Sequence, residues 1–182
     1  MKSGNVMLKN RLGVWILRIV LMILIVFWMN VIFGFSAEDG EQSQSLSDKI
    51  TIEVVQIIEP DYASLDTLTR QKLFNNVSFC VRKTGHFGEY GILGLLIAGL
   101  LLTFEKIRSM KKVELKIALS TAVICMVYAA TDEIHQGFVD GRSPKVMDVL
   151  IDTSGAFVGA AFLLIIWFLL DRKRRQNELM GK

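Results

Sequence analysis

Four long apolar runs, separated by polar stretches, dominate the chain: Gly13 to Phe35, His86 to Phe104, Leu115 to Gly137 and Val146 to Leu170. Each holds roughly the 20 helical residues needed to cross a hydrocarbon core. None alternates apolar with polar residues at period two. A closed barrel is therefore excluded, and helices are the other structure whose backbone polar groups are satisfied in lipid. The pattern predicts an all-α integral membrane protein, a four-transmembrane-helix bundle with spans at 13–35, 84–104, 116–137 and 147–170. These leave an N-terminal stretch (1–12), a long segment (36–83), two links (105–115 and 138–146) and a tail (171–182) outside the bilayer.

The 36–83 segment is the only one large enough to hold structure of its own, yet too small to bury a core. Ser45 and Asp48 are spaced like a capping box. They predict a surface helix of about four turns that Glu59-Pro60-Asp61 ends. A second helical stretch, Ser64 to Phe79, is expected to run along the membrane surface into span two.

Composition agrees with this reading: 52% of the 182 residues are hydrophobic and only two are proline. The net charge of +3 is small, but its placement sets orientation. Fourteen of the 21 Lys and Arg residues flank span one at its start, fill the link between spans two and three, or lie in the tail. By the positive-inside rule both termini are cytoplasmic. The basic tail is a stop-transfer flank rather than a nucleic-acid patch. Span one is too long for the apolar core of a signal peptide. Arg18, one to two turns inside it, is expected to snorkel to the cytoplasmic surface. Cys80 and Cys125 fall outside and midway through span three, so no disulfide is expected, and no CxxC pattern occurs.

Chemistry gathers at one end of three spans. Span two opens with Arg82, Lys83, His86, Glu89 and Tyr90, where Lys83, His86 and Tyr90 share a helical face. Glycines 85, 88, 91 and 94 form a bare ridge for a neighbouring helix. Span three carries Thr121, Cys125, Tyr128, Asp132 and His135 as one stripe, with Glu133 and Gln136 about 100° round from it. Such a stripe must face protein or water, since a carboxylate near the bilayer centre costs on the order of 3 kcal/mol. Span four brings Asp148, Asp152, Gly155 and Gly159, after a link with an Asp140-Gly141 turn and the cation Arg142.

The strings Arg82-Lys83-x-x-His86-Phe87-x-Glu89-Tyr90, Asp132-Glu133-x-His135-Gln136-x-Phe138-x-x-Gly141-Arg142 and Asp148-Val149-x-x-Asp152-x-x-Gly155 resemble the VanZ-like family of bacterial membrane proteins. The resemblance implies a small multipass protein related to one linked with resistance to the glycopeptide teicoplanin, and implies no reaction.

Two functional readings follow. In one, an enzyme acts on a cell-envelope or lipid-linked substrate at the outer leaflet. Its candidate catalytic residues are His86, Glu89, Asp132, Glu133 and His135, either as acid and base or with His86 and His135 holding one divalent metal ion. In the other, the protein binds or shields an anionic headgroup or cell-wall precursor without chemistry. The substrate-binding candidates are Lys83, Tyr90, Gln136, Arg142, Asp148 and Asp152, with arginine forks suited to phosphate or carboxylate. A proton or small-solute conductor fits less well, because the other halves of the spans are apolar. An ion pair of Lys83 with Asp152 that merely holds the bundle together is the bland alternative.

Overall fold

The computed structural model describes residues 2–37, 40–139, 141 and 143–180, and those residues contain helices and turns only. The elements are α1 (Lys2–Ala37), α2 (Gly40–Ile58), a 3-10 turn (Tyr62–Ser64), α3 (Thr67–Leu102), α4 (Glu105–Arg108), α5 (Val113–Gln136) and α6 (Val146–Met180). Four of them, α1, α3, α5 and α6, are long and apolar enough to cross a membrane. This is the all-helical, four-span architecture that the apolar runs predict.

Helices α3 and α6 form the central seam, and small residues explain how close they come. A Cβ added to Gly94 would run into the Ala156 carbonyl, one on Gly155 into the Phe87 carbonyl, and one on Gly159 into the Gly91 carbonyl. Glycine is required there because backbone meets backbone. From Phe87–Gly155 through Gly91–Gly159 to Gly99–Leu163 the contacts advance along both helices in the same direction, so the two run parallel, and α5 packs against both. The bare ridge expected along α3 is only half used. Gly91 and Gly94 meet α6, whereas a Cβ on Gly85 or Gly88 would meet nothing within 4 Å.

Helix α1 attaches differently. It lies against α3 and α5 and buries little beyond Ile32 and Ser36. The Trp28 indole donates to the Glu89 carbonyl at 2.8 Å, and the Tyr128 hydroxyl to the Met29 carbonyl at 2.7 Å. Near its other end the Arg18 guanidinium donates to Oγ1 and the carbonyl of Thr103, both at 3.0 Å, and sits 4.0 Å from the Phe104 ring centroid. Arg18 thus binds the C-terminal end of α3. An arginine within a span costs about 3 kcal/mol on insertion scales, which two charged hydrogen bonds and a cation–π contact offset.

The 36–83 segment departs from expectation at its first helix and meets it at its second. Helix α2 starts at Gly40, so Ser45 and Asp48 lie inside it rather than at its start. The stretch beginning near Ser64 does run into span two. It is the first half of α3, which is continuous from Thr67 to Leu102 and is capped by Asp66, whose carboxylate accepts from the backbone of Leu68 and Thr69. With no proline to interrupt it, the helix simply continues. Hydrogen bonds from Thr69, side chain first, hold the Asp66 carboxyl below the usual carboxylate range. Helix α2 lies against this first half, burying Ser47, Thr51 and Val55 at steps of four. Cys80 is exposed and Cys125 wholly buried, and both are free thiols as expected.

Candidate functional site

The polar residues of α3, α5 and α6 converge at the end of the seam where α6 begins. Lys83 forms an ion pair with Asp148, not with Asp152 as the one-dimensional spacing suggested. The reason is register: the glycine seam sets α6 so that its first turn, rather than its second, stands opposite Lys83. One helical turn further along, His86 Nδ1 lies 3.8 Å from Asp152 Oδ1. Asp152 is 1% exposed, while the His86 side chain remains 25% exposed. Its imidazole therefore faces a buried carboxylate while part of the side chain stays accessible.

Tyr90 follows on the same face and is completely buried, its ring 6.0 Å from that of Tyr128. Its hydroxyl has no hydrogen-bond partner among the described residues. Asp132 and Asp152 both lie within electrostatic reach of it. Asp152 in turn lies within reach of Glu133, Asp132, Asp148 and Glu89, so five carboxylates surround one lysine and one histidine. Concentrating like charge in this way is costly unless the groups share protons or receive a cation, which makes the cluster a site to explain rather than a stabilising device.

Helix α5 divides its stripe between two neighbours. Thr121, Cys125, Asp132, Glu133 and Gln136 are buried. Gln136 donates to Asp132 Oδ2 at 3.3 Å, and Glu133 Oε2 accepts the Lys145 backbone N–H at 2.7 Å, tying the start of α6 to the end of α5. That backbone contact was not readable from the sequence, which offers no signal for it. Tyr128 and His135 turn instead to α1: Tyr128 donates to Met29, and His135 lies against Phe33 with ring centroids 4.4 Å apart.

Lys83, His86, Glu89, Tyr90, Asp132, Glu133, Gln136, Asp148 and Asp152 are thus assembled, and His135 stands at the α1 side. Arg142 lies outside the described residues. The two histidines have different neighbours, Asp152 for one and Phe33 for the other. Among the described residues no three His, Cys, Asp or Glu side chains are grouped to hold a metal ion.

The VanZ/LLP1 family profile matches residues 21–169, which takes in every residue of this site. The chain belongs to the VanZ/LLP1 family, and is a membrane protein with a polar cluster built from three of its spans. Neither a curated protein nor a solved structure matches it.

Proposed function

We propose that this protein acts at the outer leaflet of the bacterial cytoplasmic membrane on a cell-envelope or lipid-linked substrate, with His86 as the acid–base group. The observation that carries the reading is the His86–Asp152 pair. A buried carboxylate 3.8 Å from the imidazole Nδ1 places two groups able to exchange a proton side by side, and a quarter of the His86 side chain stays accessible. Tyr90, with a buried hydroxyl and two carboxylates in reach, is a second proton-carrying group next to it. Placing the site at the outer leaflet follows from the distribution of basic residues, with both termini cytoplasmic. The family relationship supports a role connected with glycopeptide resistance.

The test is turnover. Protein reconstituted in nanodiscs is incubated with a total envelope lipid extract, and products are followed by mass spectrometry. A new product that His86→Gln and Asp152→Asn each reduce at least about a hundredfold is expected, the range of general acid–base catalysis. No product with any extract, from folded protein, sinks the catalytic reading.

That outcome favours a binding or shielding protein, and one observation already speaks for it. The Lys83–Asp148 pair at the mouth keeps 20% and 14% of its side-chain surface accessible, so a phosphate or carboxylate can exchange for Asp148 without unfolding anything.

A further inference from the structure

The first half of α3 has two opposite faces, and only one is covered. Arg70, Phe74, Val77 and Val81, at steps of four, three and four, form the buried or half-buried face on the half of α3 against which α2 packs. About 200° round the helix, Leu68, Lys72, Asn75, Phe79 and Arg82, at steps of four, three, four and three, are all exposed. One more step of four reaches His86, and another Tyr90. The open strip and the polar site are therefore one helical face. It is uncovered where α3 outruns α6, and covered from Lys83 onward.

Charge on this outer hairpin is segregated. From Thr67 to Gly88 there are four basic residues (Arg70, Lys72, Arg82, Lys83) and no acidic one. From Gly40 to Asp61 there are five acidic residues (Glu41, Asp48, Glu53, Glu59, Asp61) and one lysine. Mixed-sign charge would be the ordinary way to keep a surface helix soluble. A strip that combines cations with Leu68 and Phe79, which are 62% and 54% exposed, offers both charge and apolar contact. At its foot Lys83 lies 5.5 Å from the centroid of the Phe79 ring, joining the strip to the site.

We infer that the exposed α3 face from Leu68 to Arg82 is the docking surface for an anionic, phosphate-bearing lipid of the outer leaflet. Arg82, next to the site, contacts the phosphate, Phe79 packs on the apolar part beside it, and Lys72, about 15 Å farther out along the helix, attracts the anionic headgroup at longer range. This rests on the reading of the neighbouring site as one for a lipid-linked substrate. The cluster below Lys83 is acidic, so the anion stays on the strip.

The test uses the full chain in neutral detergent and two fluorescent short-chain probes, phosphatidic acid and phosphatidylcholine with identical chains. Phosphatidic acid should bind the tighter, and Lys72→Gln/Arg82→Gln should weaken it about thirtyfold, as loss of two cations near an anionic lipid predicts. Phe79→Ser should weaken both probes several-fold. Arg70→Gln, on the covered face, and Lys49→Gln, on α2, should change neither. Four results each overturn the inference: equal affinity for the two probes; equal loss in Arg70→Gln; displacement by inorganic phosphate at equal occupancy, which marks a site for the free anion; or a Phe79→Ser variant that separates dimer into monomer with lipid binding intact, which assigns the face to a second copy. His86→Gln should leave probe affinity unchanged while abolishing turnover. A failure of the chemistry at His86 therefore leaves this binding result standing, and the reverse holds too.

Discussion

The α3–α6 seam and the attachment of α1 solve the same problem, holding apolar helices together where apolar contact alone gives no advantage over lipid. The seam does it by proximity: Gly91, Gly94, Gly155 and Gly159 bring backbone against backbone over several turns. The α1 contact does it by three side chains, Arg18 and Trp28 of α1 and Tyr128 of α5, each donating to a backbone carbonyl across the contact. The difference teaches where positional accuracy resides. The two close pairs of charged groups described in the site, Lys83 with Asp148 and His86 with Asp152, both span the seam.

The largest effect should come from breaking the seam. Gly159→Leu forces a side chain into the Gly91 carbonyl, and overpacking of this kind costs about 3 kcal/mol or more because a backbone cannot step aside. Thermal unfolding in detergent should show either loss of the cooperative transition or a large fall in midpoint. Gly88→Ala, where a Cβ meets nothing, should leave it unchanged. An equal effect from both variants would mean that the seam is not where the bundle is held.

Next is the charge pairing across it. Lys83→Met strands Asp148 and should destabilise by about 1–3 kcal/mol, and the Lys83→Met/Asp148→Leu double variant should recover much of that. A thermodynamic cycle with no coupling would show that the two residues are neighbours without interacting. Trp28→Phe removes one hydrogen bond from α1 and should cost about 0.6 kcal/mol, the average for side-chain bonds between membrane helices, with turnover preserved. A loss of turnover there would place α1 inside the site's machinery.

The smallest effect concerns Asp66. Its folded value is depressed by Thr69, so its capping contribution is complete above the unfolded carboxylate value of about 3.9 and fades as pH falls through the lower folded value. Hydrogen exchange at Thr67 to Arg70 should accelerate only in that acidic window, and Asp66→Ala should make it fast at every pH.

Much of this was legible in the sequence because apolar run length alone decides a membrane span. The polar site was legible as well, since intramembrane carboxylates and histidines are costly enough to be informative one residue at a time. Register was not. Spacing within one helix cannot say which turn of α6 stands opposite Lys83, because that is fixed by where glycines let two backbones touch. Nor could the stripe on α5 be read as pointing one way. Over the two heptads from Thr121 to His135 a straight helix drifts by roughly 40°, enough to turn His135 away from Thr121's neighbours and toward Phe33. The capping-box spacing of Ser45 and Asp48 misled because a short polar motif competes poorly with helix continuing on both sides.

The distribution of sulfur turns the molecule into its own reporter. Cys125 is shut inside the bundle and Cys80 stands open on the α3 extension, two residues before Arg82. A membrane-impermeant thiol reagent added to intact cells can therefore label at one position only, and only if that position faces the medium. Sidedness of the whole chain, and crowding of the docking strip by whatever occupies it, can be followed through one native thiol with no residue replaced.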